Sequence, residues 1–167
     1  MIGPNHQTDR GMSVALTHVL TIAITTILIA MLLLAGNAML DSQTERSTET
    51  SLETVGERLA GEIDNVDRIV DEDKDEDTAT IVADHPRTIA NSQYTIELLQ
   101  GTTCEEAPLL DGSNPCVKLT SHDVDVTVHV PVAIDDDRIK SETSVTGGSV
   151  EITYDSDDGI TLAGGDR

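Results

Sequence analysis

The sequence predicts an α+β fold: a long N-terminal α-helix, membrane-spanning and then amphipathic, followed by a small antiparallel β-sheet or sandwich. Three patterns lead there. Residues 11–40 form an uncharged, mainly apolar run between Arg10 and Asp41. Between Leu52 and Val70, apolar residues recur at steps of three and four, the period of one helix face. From Thr80 onward the period drops to two, the pattern of strands with one face covered and one wet.

The apolar run, GMSVALTHVLTIAITTILIAMLLLAGNAML, is longer than the ~20 residues a helix needs to cross the hydrocarbon core. Over residues 12–40 the surface comes from Val14, Ala15, Leu16, Val19 and Leu20, then from Ile24, Ile27, Leu28, Met31 and Leu34. Thr17, Thr21, Thr25 and Thr26 can return their hydroxyls to the preceding turn, which keeps them tolerable in lipid. Nothing else in the chain could enter a bilayer. Residues 1–11, beginning MIGPNHQTDR, are polar, show no helical pattern and read as a leader.

The helix is expected to continue over residues 41–70. Leu52, Val55, Leu59, Ile63, Val66 and Val70 form its apolar stripe, and Gly36-Asn37, Gly56 and Gly61 are the places where it can bend. Glu45, Glu49, Glu53 and Glu57 stand four apart on another face and read as solvated, since like charges at that spacing repel. Residues 71–79 form an acidic loop. Counting from Asp71, an EF-hand needs Gly at place six and Glu at place twelve, but those places hold Glu76 and Val82. The run Asp155 to Gly159 fails as well, because its glycine comes one residue early.

Residues 80–167 read as an extracellular β-rich domain of five or six short strands. Thr80–Ala83, Gln93–Leu99, Cys116–Leu119, Val124–Val132, Ser149–Tyr154 and Gly159–Leu162 carry the strand signals. His85 beside Pro86 reads as a turn histidine, and His122 and His129 read as exposed near Asp123 and Asp125. Cys104 and Cys116 enclose eleven residues and read as a disulfide closing a loop, with two free thiols as the alternative.

Composition narrows the function. The chain holds 31 acidic against 10 basic residues, a net charge of −21. Asp9 and Arg10 cancel and residues 11–40 carry no charge, so all of it falls on residues 41–167. Nucleic acid and anionic lipid surfaces would be repelled. Such an excess opposes a compact fold unless salt screens it, and at ~1 M the Debye length is about 3 Å. A halophilic source is the reading that follows. Trp and Phe are absent, so the core must be built from Val, Ile, Leu and Ala. No catalytic constellation, metal-ligand spacing, cofactor motif or N-glycosylation sequon is present.

Arg10-Gly11 directly before the apolar run, followed by Met12-Ser13-Val14, resembles the class III signal of archaeal type IV pilin precursors. The likeness is to haloarchaeal pilin-like proteins whose helix opens Arg-Ala-Val-Ser-Pro, with Val14 standing where proline is usual. The resemblance implies cleavage between Gly11 and Met12 by a prepilin peptidase at the inner face of the membrane, with Arg10 as the preceding basic residue. It further implies a type IV pilin-like fold and a non-enzymatic, minor or accessory subunit. Assembly machinery and other pilin subunits would then be its partners, alongside membrane lipid. The precursor would lie in the cell membrane with its N-terminus inside, and the mature chain in a cell-surface filament. The alternative is a single-pass anchored acidic surface protein that never polymerises and binds a ligand or an envelope partner. A conventional secretory cut after Ala38 is a third possibility. A mature amino terminus at Met12, Met1 or Met39 separates the three.

Overall fold

A computed structural model of the chain describes residues 6–72, 77–104, 107, 110 and 112–165. The chain divides into two compact units, Met1–Gln43 and Thr44–Arg167. One helix, α1 (His6–Glu72), contributes to both. It starts earlier than the polar leader suggested, because adding turns to an existing helix costs little compared with nucleating one. It also passes through Gly36, Gly56 and Gly61 without interruption. Residues 1–5 of the expected leader and 73–76 of the expected acidic loop lie outside the described residues.

Among the described residues of the second unit, seven strands form two antiparallel sheets. The strands are β1 (Thr78–Asp84), β2 (Tyr94–Leu99), β3 (Cys116–Ser121), β4 (Thr127–Pro131), β5 (Thr143–Thr146), β6 (Ser149–Asp155) and β7 (Gly159–Gly164). One sheet has the order β1-β6-β7 and the other β4-β3-β2-β5. Strands β5 and β7 lie side by side, and the Leu162 N–H donates to Thr143 Oγ1 at 3.0 Å, which ties the two sheets together. The expected helix-then-strands architecture holds, and of the expected sheet or sandwich the fold has two small antiparallel sheets.

Leu52, Leu59, Ile63 and Val66 on α1 are fully buried, and Val55 and Val70 nearly so. They share one core with Tyr94, Ile96 and Leu98 of β2, Val117 and Leu119 of β3, and Val150 and Ile152 of β6. Thr48, one turn before Leu52, is also buried and lengthens the stripe. Glu45, Glu49, Glu53 and Glu57 point to solvent.

The two glycines inside the packed half of α1 differ in surroundings. A Cβ at Gly56 would stand 2.7 Å from Val130 Cγ2 and 2.8 Å from Leu119 Cδ1, so here the helix backbone lies against β3 and β4. A Cβ at Gly61 would meet nothing within 4 Å. Gly61→Ala is therefore expected to stabilise the unit by about 0.5–1 kcal/mol, the usual helix-interior gain. Gly56→Ala should show none of that gain, and Gly56→Leu should destabilise by about 1–3 kcal/mol through overpacking. Thermal melts at high salt check the order.

Two sequence expectations need correction. The Val124–Val132 alternation is not one strand: only Thr127–Pro131 pairs with β3, while Val126 N–H turns back to the Val124 carbonyl at 2.7 Å. Strand β5 was not expected at all. Its sequence TSVT holds a single apolar residue, and it forms because β2 offers a free edge, pairing Ile96 with Val145.

Candidate functional site

Every side chain described between Val14 and Leu40 is exposed, the large hydrophobic ones from Ile24 at 50 % to Leu16 at 73 %. This is the one described helix long and apolar enough to cross a membrane, judged by length and composition. Its hydroxyls are satisfied internally: Thr21, Thr25 and Thr26 donate to the carbonyls of Thr17, Thr21 and Ile22 at 2.7–2.8 Å. The surface offered outward is thus almost purely apolar. Val14, Ala15, Leu16, Val19, Leu20, Ile24, Ile27, Leu28, Met31 and Leu34 all belong to it. The backbone of Arg10, Gly11 and Met12 is helical, and their side chains lie outside what the structure describes.

In the second unit, Cys104 and Cys116 are joined by a disulfide with a Cα–Cα distance of 6.1 Å. It links the short helix α2 (Gly101–Cys104) to the start of β3, and both cysteines are buried beside Leu99. Gly101 allows this close turn, since a Cβ there would come within 2.5 Å of the Gly112 carbonyl oxygen.

His85 is not a simple turn residue. Its side chain is fully buried, with Nε2 3.0 Å from Glu62 Oε2 on α1, and Glu62 also pairs with Arg58 at 3.1 Å. The reason is topological: β1 delivers His85 back onto the helix, which its neighbour Pro86 could not reveal. His122 is exposed as expected, but Nε2 lies 2.7 Å from Thr95 Oγ1 on β2. His129 is half-buried and stands opposite Lys118, which bonds Glu97 at 2.9 Å. Burial and the Lys118 charge lower the His129 pKa against a smaller opposing pull from Glu97.

Arg138, in the 3₁₀ turn Asp136–Arg138, joins the end of α1 to the sheets. It contacts Asp67 Oδ1 at 3.2 Å, bonds Asp71, and stacks 5.5 Å from the centre of the Tyr154 ring. Burial raises the Asp67 pKa, while Arg138 holds it down and nearby Asp71 adds to the rise. The Asp155–Gly159 turn is closed from within: Asp155 Oδ1 accepts from Asp157 N–H at 2.8 Å, and Lys140 Nζ donates to the carbonyls of Ser156 and Asp157. Among the described residues, no group of three or more His, Cys, Asp or Glu could hold a metal ion.

Tyr94 is completely buried, its hydroxyl donating to the Pro86 carbonyl at 2.6 Å and its ring occupying the space a side chain on Gly147 would need. Burial pushes its pKa up to about 12. An unfolded tyrosine ionises near 10, so the fold disfavours the phenolate. This contribution is intact below pH ~10 and is lost as pH rises through about 12. Two pKa units correspond to about 2–3 kcal/mol. Alkaline unfolding should therefore steepen above pH ~10, and Tyr94→Phe should flatten that slope while losing the bond to Pro86. Denaturant melts across this pH range provide the check.

A cavity of about 570 Å³ is lined by Asp84, His85, Arg87, Gln93, Thr146, Ser149 and the glycines 147, 148 and 165. A family model described as a family of unknown function, DUF7266, matches residues 7–163. The chain belongs to this family. The match takes in the apolar helix and nearly all of the β domain. No curated protein and no solved structure matches the chain.

In this member of DUF7266, sequence reasoning located the apolar helix and the paired cysteines but passed over Arg87, Ser149 and the Asp67–Arg138 contact. Each of these depends on segments distant in the chain meeting in space. Only one signal was available beforehand: Gly147-Gly148 marks a turn, and binding residues are disproportionately found on loops.

Proposed function

We propose that the chain is a non-enzymatic, pilin-like subunit of an archaeal type IV pilus-like surface filament. One observation carries this reading: a helix whose exposed side chains from Val14 to Leu40 are almost entirely apolar, opened by Arg10-Gly11-Met12-Ser13-Val14. Lipid can cover such a surface before assembly, and matching helices can cover it afterwards. Ala15, Ala23, Ala30, Ala35 and Gly36 permit close approach of neighbouring backbones. A repeated, non-closing contact along one axis yields a filament. In this reading Arg10 stays on the cytoplasmic side, as the positive-inside tendency favours. The prepilin peptidase cuts between Gly11 and Met12, and the acidic, disulfide-bearing β domain faces the outside in a salt-rich medium.

The test is mass spectrometry of the natural protein together with isolation of cell-surface filaments. The expected result is a mature chain beginning at Met12 and recovered in the filament fraction. A chain beginning at Met1 and found only as dispersed membrane molecules would overturn the reading in favour of an anchored surface protein. A start at Met39 would make it a secreted domain.

A further inference from the structure

We infer that β1 is a docking edge on which a second copy of this chain adds its own β1, antiparallel, joining two three-stranded sheets into one. In the order β1-β6-β7, β1 pairs with β6 on one side and with no strand among the described residues on the other. The ladder fixes which groups face outward. Ser156 N–H donates to the Asp77 carbonyl and His85 N–H to the Gly148 carbonyl, so the odd-numbered residues of β1 bond toward β6. Thr78, Thr80 and Val82 therefore turn their N–H and C=O groups to the open side, where no described residue bonds to them. All three are exposed, Val82 at 46 %.

Proteins usually blunt a sheet edge with proline, lysine or an inward-pointing charge. Strand β4, at one end of the other sheet, follows that rule. The Val126 carbonyl and the Val132 N–H bond toward β3 and its preceding residue, which leaves Thr127, His129 and Pro131 facing out, and Pro131 has no N–H to give. Strands β5 and β7 lie against each other. Strand β1 has no such guard: residues 78–83, TATIVA, hold no proline, no lysine and no charge, in a chain of net charge −21.

That charge pattern selects the partner. A basic segment would be drawn to the carboxylates elsewhere on the domain, whereas an uncharged β-branched strand fits this edge, and β1 is itself such a strand. Antiparallel self-pairing about Ile81 sets Thr80 opposite Val82, Ala79 opposite Ala83 and Thr78 opposite Asp84. Outward-facing residues then meet outward-facing residues, and Thr80 and Val82 exchange their N–H and C=O bonds across the two-fold axis. No like charges stand opposite each other. The two Asp84 residues lie at opposite ends of the pair, roughly 20 Å apart at ~3.4 Å per residue. Molar salt, which screens the rest of the acidic surface, lets two copies approach. An anchored surface protein would carry the same edge, so the pairing is independent of filament formation.

Sedimentation of the full chain in detergent micelles at molar salt, combined with hydrogen exchange read by mass spectrometry, tests the pairing. The expected result is a monomer–dimer equilibrium in which the peptide covering Thr78–Asp84 exchanges more slowly as protein concentration rises. Thr80→Pro removes an outward donor and leaves the bonds to β6 in place. It should weaken dimerisation by about tenfold and abolish the concentration-dependent protection of β1. Val82→Glu sets like charges diagonally across the axis and should act in the same direction, which covers the case of a proline that disturbs the strand. Circular dichroism checks that both variants keep the fold. A chain that stays monomeric would overturn the assignment. So would a dimer whose β1 exchange does not change with concentration, because its contact would then lie elsewhere, as on the apolar helix. Slower exchange at β1 in native membrane extract but not in the pure chain would make the occupant a foreign strand and overturn it as well.

Discussion

Lowering the salt from molar to tens of millimolar is expected to unfold the Thr44–Arg167 unit. The whole net charge of −21 lies on residues 41–167. Among the described residues, Arg58 meets Glu62, Arg68 meets Asp64, Lys118 meets Glu97, and Arg138 meets Asp67 and Asp71. Exposed pairs of this kind contribute only ~0–1 kcal/mol each. Against them stand the Glu45, Glu49, Glu53 and Glu57 column and the Asp135-Asp136-Asp137 and Asp157-Asp158 runs. At ~1 M salt a Debye length of about 3 Å hides these charges from one another; at ~0.01 M it grows to about 30 Å, and all of them repel. Typical domain stability is only ~5–15 kcal/mol, and this core contains no Trp or Phe. Circular dichroism should show strand and helix signals collapsing as salt is withdrawn and returning when it is restored. A spectrum constant across the range would remove the argument from screening.

The second large effect is expected at Ile63, with Ile69 as its control on the same helix. Ile63 is fully buried in the shared core, while Ile69, six residues on, is 47 % exposed. Ile63→Ala deletes packed methyl groups and leaves a cavity in the shared core, which should cost about 2–5 kcal/mol. Ile69→Ala should change stability by no more than about 0.5 kcal/mol, and a small gain is reasonable because alanine is the better helix former. Denaturant melts in molar salt measure both. Equal effects at the two positions would mean that the apolar stripe of α1 is not what holds the β domain together.

Much of the fold was legible because it follows from periodicity. The stripe from Leu52 to Val70 announced which helix face would be covered, and all six of its residues are buried. Strands β2, β3 and β6 declared themselves through alternation, as in Tyr94, Ile96 and Leu98 inward against Thr95 and Glu97 outward. Strand β5 and the bend at Val124–Val126 were hidden because pairing with a distant strand, not local composition, determines them. The polar contacts were hidden for a similar reason. His85 meets Glu62 and Arg138 meets Asp67 across 23 and 71 residues of chain respectively, and a sequence carries no sign of which carboxylate will lie opposite a given base.

By itself the sequence determined that thirty uncharged residues form a helix suited to lipid, and that an acidic domain with an aliphatic core follows. Hydropathy and charge are properties of residues, so they survive any arrangement of the chain. Tertiary structure alone decided that the strands divide into sheets of three and four, that Gly56 lies against Val130, and that Arg87 and Ser149 share a cavity with a buried histidine. Those outcomes depend on which segments pack together, and packing is set by the shape and volume of side chains acting at once rather than by their order along the chain.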